Sequence, residues 1–166
     1  MSFSLFTPRT ALLFLAFIAA DILLIVFAIE YIADAAPCRM CIWQRWPFAA
    51  LIVLGLVGAF WKPKIALPLV VPLMLLSAGL AGYHVGVEQG WIALPAGCAA
   101  GGNATSVEEL KALLANAPPS CDQVAFKLLG LSLAAWNLVT SLVLAGFALF
   151  VAMRSKAPEL IEARSV

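Results

Sequence analysis

Two cysteines in residues 37–45 (PCRMCIWQR) have the spacing of a redox-active dithiol. Cys38 and Cys41 form a Cys-x-x-Cys motif, in which a helix start can hold both sulfurs within reach of one another. Cys41 opens a long apolar run, and the positive end of a helix, with Arg39 and Arg45 on either side, favours a thiolate there. Because thiolate attack drives disulfide exchange, the motif predicts a catalytic dithiol.

A second pair, Cys98 and Cys121, lies in the long connection between residues 88 and 123. Loops of this length are usually functional. The Gly-, Pro- and Ser-rich neighbours of both cysteines predict flexible, exposed surroundings that a partner's thiol could reach. Three interpretations stay open from spacing alone: a second redox pair, a structural disulfide that stabilises the fold by roughly 3 kcal/mol, or a zinc site shared with the Cys-x-x-Cys motif. The motif could also be an inert structural bridge.

Arg45 and the single histidine, His84, are candidates for contact with an electron acceptor. Arg45 follows Cys41 by one helical turn, so that both side chains can face the same way and Arg45 can stabilise a Cys41 thiolate and an anionic acceptor. His84 can donate a hydrogen bond or relay a proton to a reduced acceptor. The alternatives are a snorkelling interface arginine and an interface histidine with a satisfied hydrogen bond.

The composition requires a lipid environment for the elements that position these residues. The 166-residue chain suits one domain and is 64% hydrophobic and 11% charged, with mean hydropathy +1.03. Soluble proteins carry about 25% charged residues, and a domain of this size has too much surface to bury so many apolar side chains. The net charge of +1 gives no sign of a nucleic acid partner.

Four apolar stretches are long enough to cross a bilayer as helices, at about residues 10–32, 42–61, 65–87 and 124–153. They predict an all-α membrane protein, a four-transmembrane-helix bundle forming one integral membrane domain over residues 1–166. The first run exceeds the roughly 7–15 residues of a signal-peptide core, so that we expect it to be an uncleaved span. Pro47 predicts a distorted helix start near Arg45, and small residues such as Gly55 predict close helix approach.

The charge distribution predicts that both termini are cytoplasmic. Lys and Arg are more frequent beside the termini and in the turn between the second and third spans (Arg9, Lys62, Lys64, Arg154, Lys156 and Arg164) than on the other side (Arg39, Arg45, Lys111 and Lys127). The loops at about 33–41 and 88–123 then lie outside the cytoplasm. All four cysteines fall in or beside these loops, in a compartment where disulfides persist.

Three further features have structural interpretations. The capping box that begins at Ser106 predicts a short amphipathic helix through about Ala115, lying on the membrane surface. Glu30, near the outer end of the first span, is expected to be solvated. Asn137, inside the fourth span, is expected to hold helices together by hydrogen bonds.

Over nearly its whole length the sequence resembles the DsbB family of bacterial inner-membrane thiol oxidoreductases. The resemblance rests on residues 37–45 (PCRMCIWQR), 83–88 (YHVGVE), 121–122 (CD) and 130–137 (GLSLAAWN). It implies that a soluble periplasmic thioredoxin-fold oxidase of the DsbA type attacks a Cys98–Cys121 disulfide, with Cys98 forming the mixed disulfide. The Cys38–Cys41 pair would then reoxidise the loop pair, with Cys38 meeting Cys121.

In the same family, electrons pass from Cys41 to the membrane quinone pool, either ubiquinone or menaquinone. Arg45 matches the family arginine at the quinone site, and His84 matches a position near it. Three rivals remain: an oxidase dedicated to one substrate, a four-helix quinone reductase resembling vitamin K epoxide reductase, and a membrane anchor with structural disulfides. The reductase family carries its Cys-x-x-Cys late in the chain, whereas here the motif precedes the second span.

Overall fold

The computed structural model describes residues 7–98, 106–108, 111, 118–124 and 126–164, with only the backbone of 156–164. Its elements are α1 (Pro8–Ile32), α2 (Arg39–Trp43), α3 (Arg45–Phe60), α4 (Pro63–Glu88), β1 (Lys127–Leu128), β2 (Leu131–Ser132) and α5 (Leu133–Arg164). Within this described part, four helical segments are long and apolar enough to span a membrane: Pro8–Ile32, Arg39–Phe60, Pro63–Glu88 and Leu133–Ser155. The predicted four-helix membrane architecture is confirmed.

The helices pack into a bundle in which α4 lies along α5 and α1 lies along α3. Leu12, Leu15 and Leu51 are fully buried in its core. A side chain on Gly55 would approach the Ala16 Cβ and the Leu12 carbonyl oxygen to 2.8 Å, so that only glycine permits this contact between α1 and α3. Large apolar side chains also cover the outer surface, as expected for helices that face lipid.

The second membrane span is interrupted after Trp43, close to the distortion predicted from Pro47. Gln44 ends α2 and precedes α3, with φ −69° and ψ −13°. Pro47 has no N–H to donate to the Trp43 carbonyl, so that a continuous helix would lose this hydrogen bond. The interruption leaves the dithiol on the short helix α2 and Arg45 at the start of α3.

The last membrane helix begins at Leu133, well after the start near residue 124 expected from hydropathy. A small antiparallel hairpin pairs Lys127 with Ser132 and precedes the helix. Leu129 and Gly130 have φ of 53° and 82°, which an α-helix does not accommodate. Ser132 Oγ then accepts a hydrogen bond from the Ala135 N–H at 3.1 Å and caps the helix. The amphipathic helix predicted at Ser106–Ala115 lies mostly outside the described residues.

Candidate active site

Cys38 and Cys41 lie at the start of α2, where their spacing brings the two sulfurs together. Cys38 is the N-cap residue, and its Sγ accepts a hydrogen bond from the Cys41 backbone N–H at 3.1 Å. The two Sγ atoms are 2.6 Å apart. Cys38 is buried and Cys41 is half-buried. The pair can therefore exchange between a disulfide and a dithiol with little movement of the backbone.

Cys98 and Cys121 form a disulfide within the long connection between α4 and β1. Their Cα atoms are 5.3 Å apart. The Cys121 N–H donates to the Cys98 carbonyl at 3.1 Å, and the Cys98 N–H donates to the Pro95 carbonyl at 3.0 Å. The structure thus contains the pairing that the family resemblance implies.

The expectation that both loop cysteines are exposed is wrong. Cys98 is 8% exposed and Cys121 is 0% exposed. Both pack with Cys38 and Val87 in one buried cluster, against which Ile92 also lies. Burial of this apolar disulfide against the end of α4 holds residues 98 and 121 of the connection close to the bundle. As a result, the two sulfur pairs share a single apolar environment.

His84 lies between the two pairs. Its Nε2 is 3.6 Å from Cys38 Sγ and 3.2 Å from the Cys121 carbonyl oxygen. Its Nδ1 is 2.7 Å from Gln44 Nε2. Glu88 lies one helical turn further along α4, with Oε1 3.9 Å from His84 Nε2. The histidine can therefore donate a hydrogen bond to Cys38 Sγ and to the Cys121 carbonyl.

Gln44 and Glu88 are site residues that were not predicted from the sequence. Glu88 follows His84 by four positions, which places the two on one helix face, and this spacing was a usable signal. Glu88 Oε2 also accepts a hydrogen bond from Ser132 Oγ at 2.6 Å. No signal of this kind existed for Gln44, because its partners lie on α4 and α5.

The structure favours the thiolate at Cys38. The neighbouring Cys41 thiol, by hydrogen bonding, lowers the pKa of Cys38 far below the ordinary value of a thiol. A hydrogen bond from His84 lowers it further, whereas burial acts in the opposite direction. Arg45 is paired with Glu30 but lines the same cavity as Cys41, so that its effect on a Cys41 thiolate stays a prediction.

Arg45 joins α3 to α1. Its Nη1 is 2.7 Å from Glu30 Oε2, and its Cζ is 4.9 Å from the centre of the Phe27 ring. The Glu30 side chain is only 19% exposed, so that the expectation of a solvated carboxylate is wrong. Arg45 Nε is buried and has no hydrogen-bond partner among the described residues. This N–H remains available to a ligand.

A cavity of about 270 Å³ opens beside Cys41 and Arg45. Its walls are mainly apolar and come from α1, α3 and α5, including Ile22, Val26, Ile29, Phe48, Leu133 and Trp136. Polar groups on the wall are few, among them Gln44 and Asn137. Such a lining suits a mainly apolar ligand with a small number of polar atoms. His84 is not among the described residues that line this cavity, although the family resemblance expects it near the acceptor.

The four-cysteine zinc site does not fit the structure, because Cys98 and Cys121 are bonded to one another. The described residues do bring Cys38, Cys41 and His84 together, with their ligand atoms within 4.8 Å. Two thiolates on one tetrahedral zinc, each at about 2.3 Å from the ion, would be about 3.8 Å apart. The observed 2.6 Å between the sulfurs suits a redox pair better.

A bundle of membrane helices that holds a Cys-x-x-Cys pair against a buried disulfide defines a membrane thiol oxidoreductase. The family model described as "Disulfide bond formation protein DsbB" matches residues 8–151, and the chain belongs to this family. It is therefore an enzyme of disulfide bond formation.

Similar proteins cover most of the chain. An uncharacterized protein of Rickettsia prowazekii is 31% identical over 69% of this chain and 70% of its own length. Disulfide bond formation protein B of Aromatoleum aromaticum is 30% identical over 91% of this chain and 96% of its own. The protein of that name from Herminiimonas arsenicoxydans is 29% identical over 89% and 97%. No solved structure matches this chain significantly.

Proposed function

We propose that this enzyme oxidises a soluble periplasmic thioredoxin-fold dithiol of the DsbA type and passes the electrons to a membrane quinone. The observation that carries the proposal is the shared cluster of sulfur pairs, in which His84 contacts Cys38 Sγ and the Cys121 carbonyl together. Because both pairs lie in this cluster, a thiolate of one pair can attack a disulfide of the other without leaving it. Membership of the disulfide bond formation family supports the partner and acceptor classes.

The first exchange takes place at Cys98. This residue lines an open groove of about 360 Å³ beside Arg39 and Tyr83, whereas Cys121 has no exposed surface. A partner thiolate therefore reaches Cys98 Sγ first, breaking the Cys98–Cys121 bond and releasing Cys121 as a thiolate. The second partner thiol then displaces Cys98. The partner gains a disulfide, and the loop pair gains two electrons.

The second exchange joins the two pairs. The Cys121 thiolate attacks Cys38 Sγ, so that the Cys38–Cys41 bond breaks and Cys41 leaves as a thiolate. Cys98 then attacks Cys121, the loop disulfide forms again, and Cys38 leaves with its negative charge facing His84 Nε2. The two electrons now reside on the Cys38–Cys41 dithiol.

The cavity beside Cys41 fits a quinone. Its apolar walls match a ring with a prenyl tail, and the unpartnered Arg45 Nε can donate to a ring oxygen. A bound quinone, either ubiquinone or menaquinone, supplies an acceptor for two electrons and two protons. Arg45 would hold and orient it, and the bundle walls would exclude water. We further propose an inner-membrane location with cytoplasmic termini and periplasmic cysteines, supported by the membrane-length helices and by the charge distribution.

The test mixes the purified protein with a reduced DsbA-type partner and a soluble ubiquinone analogue. Loss of quinone absorbance is compared with loss of partner thiols. We expect one quinone reduced per partner dithiol oxidised, with no turnover for Cys41→Ala or Cys38→Ala. If neither the ubiquinone nor the menaquinone analogue is reduced while the partner stays reduced, the relay is wrong and a membrane anchor with structural disulfides is favoured.

A further inference from the structure

A chain of side-chain hydrogen bonds runs from His84 across the bundle to α5. Gln44 Nε2 lies 2.7 Å from His84 Nδ1, and Asn137 Nδ2 donates to Gln44 Oε1 at 2.7 Å. Asn137 Oδ1 accepts from the hydroxyls of Ser141 at 2.9 Å and Ser77 at 3.3 Å. The two serines, which are fully buried, also contact one another at 2.9 Å. The chain therefore connects the break after α2 with both α4 and α5.

The groups at the two ends of this chain of hydrogen bonds both require the same orientation of the Asn137 and Gln44 amides. At the histidine end, the Cys121 carbonyl oxygen can only accept, so that His84 Nε2 carries a proton. At the far end, the buried serine hydroxyls need an acceptor, and Asn137 Oδ1 provides it. Asn137 must then present its NH₂ group to Gln44 Oε1, and Gln44 must present its NH₂ group to His84 Nδ1.

A second proton on the His84 ring is opposed by this arrangement. Among the described residues, the titratable groups that face the ring are Glu88 from α4 and the thiols of Cys38 and Cys41 at α2. The uncharged Cys121 carbonyl also lies against Nε2. Glu88, at 3.9 Å from Nε2, and a Cys38 thiolate, at 3.6 Å from it, both favour an imidazolium ring. A proton on Nδ1, however, would point at the Gln44 NH₂ group, whose nitrogen is 2.7 Å away. Two hydrogen-bond donors would then face one another without an acceptor, which is unfavourable in a buried site.

We infer that Asn137 is a positioning residue that acts through Gln44 to hold His84 neutral, with its proton on Nε2. Rotation of the Gln44 amide would offer Oε1 to the histidine and permit the imidazolium form. That rotation would leave the Asn137 NH₂ group facing another NH₂ group in a buried site. Asn137 thus sets the protonation of a ring that it does not touch.

The chemical consequence rests on the function proposed above. A neutral Nε2–H donates a hydrogen bond to Cys38 as this sulfur leaves, without forming a permanent ion pair with it. The sulfur therefore keeps its nucleophilicity for the next exchange. The protonation state itself does not depend on that function, so that it can be tested without a partner or a quinone.

His84 is the only histidine of the chain, so that ¹⁵N-histidine labelling gives a single-site signal in protein without a histidine tag. In the full-length oxidised protein at neutral pH, we expect an unprotonated (pyridine-type) Nδ1 signal and a protonated (pyrrole-type) Nε2 signal. In Asn137→Asp the carboxylate accepts from the Gln44 NH₂ group, which turns Gln44 Oε1 towards His84. The Nδ1 signal should then become pyrrole-type.

Gln44→Glu is the second variant, and it keeps the test available if a carboxylate at position 137 prevents folding. It should also make the Nδ1 signal pyrrole-type. Ser141→Ala is the matched control, because Ser77 still donates to Asn137 Oδ1 and the wild-type signals should persist. A pyrrole-type Nδ1 in the wild-type protein would overturn the inference. So would a pyridine-type Nδ1 in both acidic variants. A failed quinone assay would leave this result untouched.

Discussion

Replacement of His84 by alanine is predicted to raise the pKa of the Cys38 thiol by about one to two units. The substitution removes the donor that lies 3.6 Å from Cys38 Sγ, in a site where both residues are 2% exposed. A hydrogen bond to a charged group contributes about 1.5–3 kcal/mol, and each pKa unit corresponds to about 1.36 kcal/mol. The Cys41 contact, which is the larger cause of the lowered pKa, remains.

The assay is alkylation of the fully reduced protein by iodoacetamide at a series of pH values, with mass spectrometry of the peptide that carries Cys38. Because only the thiolate reacts, His84→Ala should move the rise in rate to higher pH. His84→Gln carries an amide NH₂ group near the position of Nε2 and should move the rise part of the way back. Superimposable profiles for wild type and His84→Ala would refute the assigned role of the histidine.

Three other outcomes follow from described contacts. Arg45→Ala should raise the apparent KM for quinone about tenfold or more, since a charge-assisted donor contributes about 1.5–3 kcal/mol. Oxidation of the partner by the loop disulfide should stay intact, and an unchanged KM would exclude this role of Arg45. Gly55→Ala should lower the free energy of unfolding in detergent by about 1–3 kcal/mol through overpacking. Gly79→Ala is the control and should not lower it, because nothing lies within 4 Å of the added Cβ. Equal stability of the two variants would contradict the close packing of α1 against α3. Cys98 and Cys121 should resist iodoacetamide until a reductant is added, and their labelling without reductant would contradict the disulfide.

Much of the fold could be predicted because its determinants are local. Each membrane span is a continuous run of apolar residues whose length matches the bilayer, and no tertiary contact is needed to recognise it. The Cys-x-x-Cys spacing is equally local. Even the break near Arg45 was signalled by Pro47, because a proline removes a hydrogen bond at a known position.

The remainder depends on contacts between distant parts of the chain. Glu30 is near a helix end in the sequence, and only the packing of α1 against α3 brings it to Arg45. The burial of Cys98 depends on how the loop folds over α4, which its Gly- and Pro-rich flanks do not indicate. The late start of α5 was hidden because the β-hairpin before it is also apolar, and hydropathy does not separate the two.

The interruption at Gln44 has a consequence for the expected depth of the sulfur pair in a bilayer. Helix α3 has 16 residues and extends about 24 Å, less than the roughly 30 Å of the hydrocarbon core. The 26 residues of α4 extend about 39 Å and cross the core completely. Since α3 and α4 are joined by the tight turn at Trp61–Lys62, the start of α3 at Arg45 does not extend as far along the bundle as the end of α4. In a bilayer we therefore expect the dithiol on α2 to lie near the boundary of the acyl chains, where water is scarce and a diffusing lipid can reach it from the side. At that depth a bare thiolate is costly, which gives a physical reason for a buried hydrogen-bond donor beside it.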